Sequence, residues 1–111
     1  MYAALFELTS WRGTEKHVFE GVCAAELLAK LEEVQDLGCL IRMGRTMEHS
    51  AEGKKALKKL EALCDKAWFG SFTVEDLLTL DVHLEVGTIK CIAVVEGEDA
   101  IAQLKASVAK K

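Results

Sequence analysis

The chain contains no proline among its 111 residues, and its eight glycines are the number expected of an ordinary globular protein. Disordered tails and flexible linkers are usually rich in proline, glycine and polar residues, so we expect a single folded domain over residues 1–111. No apolar run approaches the ~20 residues of a membrane-spanning helix, so we expect no membrane partner. Residues 1–6 lack the basic start and the cleavage site of a secretory leader, and we expect them to belong to the mature fold.

The four cysteines form no Cys-x-x-Cys pair, which argues against a zinc site and against a redox dithiol. They lie far apart, at Cys23, Cys39, Cys64 and Cys91. Three of the four fall on faces that are otherwise aliphatic, where a free cysteine packs as a small hydrophobe. We therefore expect buried free thiols, a reducing cytoplasmic location, and no metal or other cofactor.

Positive charge is scarce outside one segment. Residues 42–66 carry seven basic and four acidic residues, a net of +3, whereas the rest of the chain carries seven basic and fourteen acidic residues, a net of −7. Nucleic-acid-binding proteins usually have a dominant positive field, so we do not expect a nucleic-acid partner. A salt-sensitive nucleic-acid contact remains the last of the alternatives, through the lysines Lys54, Lys55, Lys58 and Lys59.

What the chain does have is one pattern that occurs twice. Residues 18–31 and residues 94–107 each show an apolar residue, then Glu-Gly, then alanine and leucine at matching offsets. Each segment is typical of the last strand of a hairpin that breaks at glycine, Gly21 or Gly97, into an amphipathic helix. The sequence therefore predicts two strand–strand–helix units at the ends of the chain.

The middle of the chain is predicted to contain one more strand and two helices. The first helix is expected over residues 22–37 with Gly38 as its C-terminal cap, followed by a short strand over 39–43 and a loop over 44–49. Ser50 is expected to cap a second helix that ends at Gly70, and Thr73 a third over 74–80 with Asp76 as the capping carboxylate. The last helix is expected over 98–109.

The second hairpin is predicted to turn at Gly87-Thr88, which pairs Val86 with Ile89 and Leu84 with Cys91. The whole fold is then an α/β fold of the α+β type with two layers. It consists of a mainly antiparallel sheet of about five strands, with three to four helices mostly on one face. Ile92 and Val94 are predicted to share the uncovered face with His83, so we expect a homodimer or another protein to cover it.

No residues form a convincing catalytic or metal-binding group. A thiol nucleophile needs a histidine within reach, and the predicted register places Cys91 and His83 on opposite faces of the sheet. His83 and Glu85 supply only half of a metal site. We therefore expect no catalytic residues and no metal ligands; a non-catalytic role is favoured, although the sequence leaves enzymatic activity open.

Residues 41–55 contain a candidate anion site. A strand end, a glycine and two arginines precede a helix N-terminus with lysines, where free N–H groups and the helix dipole attract negative charge. The candidate ligand-binding residues are Arg42, Arg45, His49 and Lys54. The segment is not a Walker loop, because no glycine lies five residues before Gly53 and Lys55 follows Lys54. The competing interpretation is a surface loop with ordinary solubilising charge.

Four residues are candidates for contact with a partner protein, because tryptophan and arginine are enriched at interface hot spots. Trp11 and Arg12 lie at the tip of the first predicted hairpin, and Trp68 and Phe72 at the end of the second predicted helix. For Trp68 and Phe72 we favour a role in closing the core, because Trp68 continues the apolar stripe of its helix. For Trp11 the two interpretations are equally good.

Together these observations favour a non-catalytic protein–protein interaction or regulatory module, of the kind found in small inhibitors and accessory factors. The alternative is a small-molecule binding protein or enzyme that holds a phosphate or carboxylate with the loop from Arg42 to Lys54 and the helix N-terminus that follows. The expected partners are accordingly another protein, a second copy of the chain, or a small anion.

Overall fold

The computed structural model describes residues 1–85 and 87–109, which form one antiparallel sheet of four strands and five helices. The strands are β1 (Tyr2–Ser10), β2 (Gly13–Gly21), β3 (Asp81–Leu84) and β4 (Gly87–Glu96), in the sheet order β2-β1-β4-β3. The helices are α1 (Ala24–Val34), α2 (Leu37–Met47), α3 (Ala51–Trp68), α4 (Val74–Leu78) and α5 (Glu98–Ala109). The α+β class and the two strand–strand–helix units at the chain ends are confirmed.

The helices cover both faces of the sheet, but unequally. Side chains of a strand alternate between the two faces. Ala4 and Phe6 of β1 belong to the main core, which residues of α1, α2, α3 and α4 complete. Ala3 and Leu5 point to the other face, where they are buried together with Ile101 of α5, a helix that contacts β1 and β4. Four helices therefore lie on one face, and α5 adds a partial third layer to the two that were predicted. The described residues form five helices rather than the predicted three to four, because residues 37–47 are helical.

The predicted strand over Cys39–Met43 is wrong, because these residues belong to α2. The Asp36 carboxylate accepts a hydrogen bond from the backbone N–H of Cys39 at 3.0 Å and so caps the helix. Leu37, Leu40 and Ile41 are buried at helical spacing. Residues 38 and 44–47, predicted as a helix cap and as a loop, are also part of α2. The sheet consequently has four described strands rather than five.

The second hairpin has a different register from the one predicted. Leu84 pairs with Gly87 and Asp81 with Lys90, so the turn precedes Gly87, and the predicted pairing of Val86 lies outside the described residues. Gly87 is needed for another reason: a Cβ there would lie 2.5 Å from the backbone oxygen of Thr9. Because the register differs by an even number of residues, Val82 and Leu84 still face the core, as predicted.

A β-bulge in β4 overturns the prediction that Ile92 and Val94 share an uncovered face. Leu5 pairs with Ala93, but Phe6 pairs with Cys91, so Ile92 is the extra residue. Val94 therefore packs against the main core, and Ile92 is left 40% exposed. Because α5 already covers Ala3 and Leu5, the observation that led us to expect a second subunit on this face no longer holds.

The caps of two helices are confirmed. Ser50 caps α3, since its Oγ accepts a hydrogen bond from the backbone N–H of Gly53 at 3.0 Å. Thr73 and Asp76 form a reciprocal capping box at the start of α4. Lys66 of α3 donates to the Asp76 carboxylate, and this hydrogen bond, with those from Thr73, holds the Asp76 pKa below its ordinary value.

Candidate functional site

The four residues predicted to bind an anion lie on or between α2 and α3, and all four are exposed. Arg42 and Arg45 are on α2 rather than on a loop, His49 is in the turn between the helices, and Lys54 is in the first turn of α3. Arg45 and Lys54 line one cleft of about 290 Å³, and Arg42 and Arg45 line an adjoining cleft of about 330 Å³. The structure brings three of the four residues to one helix–helix boundary, and anion binding there stays a prediction.

Arg45 already has a partner of opposite charge. Its Nη2 and Nε donate to Oε1 of Glu61 at 2.5 Å and 3.0 Å. The Arg45 side chain is largely exposed, so this ion pair is screened by solvent and contributes under about 1 kcal/mol to stability. An anion bound at this position would compete with the Glu61 carboxylate for the guanidinium.

The N-terminus of α3, where the anion was predicted to bind, lies against a carboxylate of the chain itself. Glu48 is only 5% exposed. Its Oε1 accepts a hydrogen bond from Ser50 Oγ at 3.1 Å, and its Oε2 accepts one from the backbone N–H of Glu85 at 3.1 Å. The helix dipole of α3 stabilises negative charge at this end. One internal carboxylate thus links the α2–α3 turn to the end of β3.

Sequence reasoning missed the role of Glu48, although the sequence contains a signal for it. The third residue of a helix capped by serine is often glutamate or glutamine, which completes a capping box. Here that residue is Gly53. A Cβ on Gly53 would collide with the Glu48 side chain. A glycine at the third position of the helix, with Glu48 shortly before the cap, indicates that the carboxylate at the helix start comes from outside the helix.

Two aromatic side chains are exposed where α3 ends. Trp68 is 85% exposed and Phe69 is 79% exposed; we call these two residues the aromatic end. The prediction that Trp68 closes the core is therefore wrong. Phe72, in contrast, packs against the core. The helical periodicity misled us because the apolar stripe of α3 leaves the core in its last turn.

A groove runs between α1 and the C-terminal half of α3 and ends at Trp68. It has a volume of about 220 Å³, and we call it the α1–α3 groove. Its lining residues are Ala25, Leu28, Ala29, Glu32, Cys64, Ala67 and Trp68. Most of these side chains are small or aliphatic, so the floor of the groove is apolar.

Carboxylates surround the thiol in this groove. Burial, with a smaller contribution from the negative charges of Glu32, Asp65 and Glu61, raises the pKa of Cys64 to about 11. Glu32 lines the same groove, whereas Glu61 and Asp65 line the cleft on the α2 side of Cys64 together with Arg42 and Arg45. The thiol is protonated at neutral pH and is a poor nucleophile.

Trp11 and Arg12 lie at the tip of the β1–β2 hairpin, where Trp11 is 87% exposed. The Arg12 guanidinium lies 5.0 Å from the centroid of the Trp11 ring, within range of a cation–π interaction. Both residues line a depression of about 270 Å³ together with Val34 and Gln35 from the end of α1. Trp11 therefore has no role in the core, and its role in partner binding stays a prediction.

The arrangement of the other candidate groups does not favour catalysis. Burial raises the pKa of Cys91 to about 11. His83 is exposed and lies 2.7 Å from the Asp81 carboxylate, whereas Cys91 faces the core. Within residues 1–85 and 87–109, no group of three or more histidine, cysteine, aspartate or glutamate side chains could hold a metal ion. All four cysteines are free, but only Cys91 is fully buried, and Cys23 is exposed.

Comparison with protein-family models, with curated proteins and with solved structures finds no match to this chain. Over the described residues, no helix combines the length and apolar character needed to cross a membrane. The two most distinctive features of the surface are the aromatic end and the groove beside it.

Proposed function

We propose that the protein is a non-catalytic interaction module that binds another protein through the aromatic end of α3. The observation that carries this proposal is the exposure of Trp68 and Phe69, at 85% and 79%, on adjacent residues beside an apolar groove. Tryptophan is among the residues most enriched at interface hot spots. Large aromatic side chains that are exposed next to one another mark a surface whose burial by a partner would be favourable.

The position of the aromatic end also supports binding. α3 is the longest helix described, and buried leucines along it, Leu57, Leu60 and Leu63, hold it against the core. The turn that follows is fixed by a hydrogen bond from the backbone N–H of Ser71 to the carbonyl oxygen of Lys66 at 2.9 Å. A backbone that is already ordered keeps its own contribution to the entropy cost of binding small.

The chemistry of the thiols supports a non-catalytic role. Cys64 lies in the groove beside the aromatic end. Its pKa, raised to about 11 by burial and neighbouring carboxylates, leaves it protonated at neutral pH. A cysteine nucleophile needs the opposite environment, with a cation or a helix N-terminus that lowers the thiol pKa.

Affinity capture from cells of the source organism tests the proposal. The bait is the intact chain as wild type, as the double variant Trp68→Ala/Phe69→Ser, as Trp11→Ala, and as Lys59→Ala, a control at an exposed lysine of the same helix. We expect a partner protein that is captured by the wild type and the control and lost, by about tenfold or more, with the double variant. Retention of every captured protein by the double variant would contradict the proposal.

Trp11→Ala separates the two candidate surfaces in the same experiment. Because Trp11 is 87% exposed, its removal is expected to change the free energy of unfolding by less than about 0.5 kcal/mol. Weaker capture by a folded Trp11→Ala protein would extend the binding surface to the hairpin tip. Unchanged capture would confine it to the aromatic end.

A further inference from the structure

One residue, Lys66, joins the last turn of α3 to the start of α4. Its carbonyl oxygen accepts a hydrogen bond from the backbone N–H of Ser71 at 2.9 Å, which closes the turn after the helix. Its ammonium group donates to Oδ1 of Asp76, in the first turn of α4, at 3.0 Å. The aromatic end lies between the two residues that the first bond joins, so both contacts of Lys66 act on the backbone that carries it.

Asp76 is a well-fixed acceptor for this ammonium group. Its Oδ2 accepts hydrogen bonds from the backbone N–H and from the Oγ1 hydroxyl of Thr73, both at 3.1 Å. The backbone N–H of Asp76 donates in return to Thr73 Oγ1 at 3.2 Å, which completes the capping box. One oxygen of the carboxylate thus serves the cap of α4 and the other serves Lys66. The end of α3 is thereby tied to the start of α4.

The connection between α3 and α4 is also held from the inside. Phe72 and Val74, which follow the aromatic end, pack against the core. Gly70 has a φ of +79°, a left-handed conformation that glycine adopts readily, and here the chain leaves the helix. The core side chains fix the connection itself, and the Lys66–Asp76 bond links the helices on either side of it.

From these contacts we infer that Lys66 is a positioning residue for the proposed binding surface: through Asp76 it fixes the backbone that presents Trp68 and Phe69 to a partner. The inference rests on the proposed function and adds a contact on which its affinity depends. A partner that meets an ordered helix end does not have to order it on binding, so the entropy cost of association is smaller. Loss of the Lys66–Asp76 bond therefore weakens binding although both aromatic side chains are still present.

The stability of the fold depends little on this bond. The side chains of Lys66 and Asp76 are 51% and 19% exposed, so solvent screens their attraction. The buried leucines of α3 and Leu77 of α4 hold the two helices on the core independently of it. Its removal is therefore expected to loosen the end of α3, where helices fray most readily, and to leave the rest of the domain folded.

Substitutions at both ends of the bond test the inference. Lys66→Met removes the ammonium group and keeps most of the aliphatic stem, whereas Lys66→Arg keeps a cationic donor. Asp76→Asn removes the negative charge and keeps a side-chain oxygen for Thr73. Lys59→Met is the matched control, because it makes the same charge change at an exposed lysine two turns earlier on α3. Circular dichroism is expected to show every variant folded.

The probes for binding are peptides selected by display on the intact wild-type protein. Only peptides that lose affinity for the Trp68→Ala/Phe69→Ser variant are kept, so each probe depends on the aromatic end. We expect their affinity to fall about threefold or more with Lys66→Met and with Asp76→Asn, and no further when the two changes are combined. Lys66→Arg and Lys59→Met should each change it by less than about twofold.

Hydrogen exchange in the free proteins gives a second readout, which a general loss of stability would not reproduce. We expect the Ser71 amide to exchange faster in Lys66→Met than in the wild type, and the amides of β1 and β4 to exchange at unchanged rates. Faster exchange throughout the sheet would assign the bond to global stability and overturn the inference.

Three binding results would also overturn it, and they differ in what they leave standing. Unchanged affinity of the selected peptides for Lys66→Met would remove the positioning role and leave the proposed function intact. A loss with Lys66→Met that Asp76→Asn does not share would show that Lys66 contacts the peptide itself. The absence of any selected peptide that depends on the aromatic end would contradict both the inference and the proposed function.

Discussion

At the scale of single residues, the buried carboxylate of Glu48 joins the start of α3 to the residue that follows β3. Gly53 is in the first turn of α3 because any larger side chain would collide with Glu48. Glu48 in turn satisfies the backbone N–H of Glu85 and the hydroxyl of Ser50. The buried group here is the Glu48 carboxylate, and a buried polar group that loses its hydrogen bonds destabilises the protein by about 1–3 kcal/mol. The choice of residue at position 53 is therefore coupled to the Glu48 carboxylate.

Gly53→Ala tests this coupling. Alanine normally favours a helix over glycine by about 1 kcal/mol, but here the new Cβ displaces Glu48 from its hydrogen bonds. We expect Gly53→Ala to lower the free energy of unfolding by about 1–3 kcal/mol in urea titrations. In a Glu48→Ala background the same change should be neutral or stabilising. The same loss of stability in both backgrounds would show that Glu48 is not the cause.

The thiols give a second residue-scale prediction. Because the pKa values of Cys64 and Cys91 are about 11, roughly one thiol in a thousand is deprotonated at pH 8, and each rise of one pH unit increases that fraction about tenfold. We expect iodoacetamide to label the exposed Cys23 first, and the labelling of Cys64 and Cys91 to accelerate up to about pH 11. Mass spectrometry of the labelled peptides measures each rate. Labelling of Cys64 as fast as Cys23 at pH 8 would contradict the account.

At the scale of elements, the sequence was informative where local chemistry decides the structure. Ser50 and the Thr73–Asp76 pair were recognisable as caps, and the repeated Glu-Gly pattern revealed both end units. The sequence was misleading over residues 37–47, because a short apolar run flanked by glycines fits a strand as well as a helix. The helix is supported locally by the Asp36 cap and in the tertiary structure by close packing on α3, since a Cβ on Gly44 would lie 2.6 Å from Leu57 Cδ2.

The two glycines of α2 provide a matched test of this packing. Gly38 is exposed, and a Cβ there meets only Asp36 Oδ1 at 3.4 Å, an ordinary contact. We expect Gly38→Ala to stabilise the protein by up to about 1 kcal/mol through helix propensity. Gly44→Ala should instead destabilise it by about 1–3 kcal/mol, because Leu57 is buried and must shift. Thermal unfolding of both variants measures the difference, and equal effects at the two positions would contradict the packing of α2 on α3.

At the scale of the whole molecule, the placement of helices determines which surface is left for binding. The part of the second sheet face beyond α5 carries a row of alternating charge, in which Lys16 pairs with Glu7, Glu7 with Lys90, and Lys90 with Asp81. Such cross-strand pairs suit a face exposed to water. The bulge at Ile92, which no local pattern revealed, removed the apolar patch expected there. The homodimer stays a prediction without that support. The exposed Trp68 and Phe69 lie at the end of α3, on the helical side of the sheet.

Sequence reasoning located the aromatic residues of the candidate site but misjudged their environment. Helical periodicity placed Trp68 on the apolar stripe of α3. Periodicity does not report where the neighbouring elements end, so it could not show that nothing covers Trp68. Phe69, which the sequence analysis did not select, is exposed, whereas Phe72 packs on the core. The groove beside Trp68 depends on the approach of α1 to α3, a contact between residues about 40 positions apart that single-sequence patterns do not report.

Site-specific photo-crosslinking in cells of the source organism tests the central claim most directly. A photoreactive phenylalanine analogue replaces Phe69 at the aromatic end, and in a matched control it replaces Lys55, an exposed residue near the other end of α3. We expect a defined partner protein to become crosslinked from position 69, not from position 55, and to be lost when Trp68 is also changed to alanine. Equal crosslinking from both positions, or none from position 69, would contradict the account.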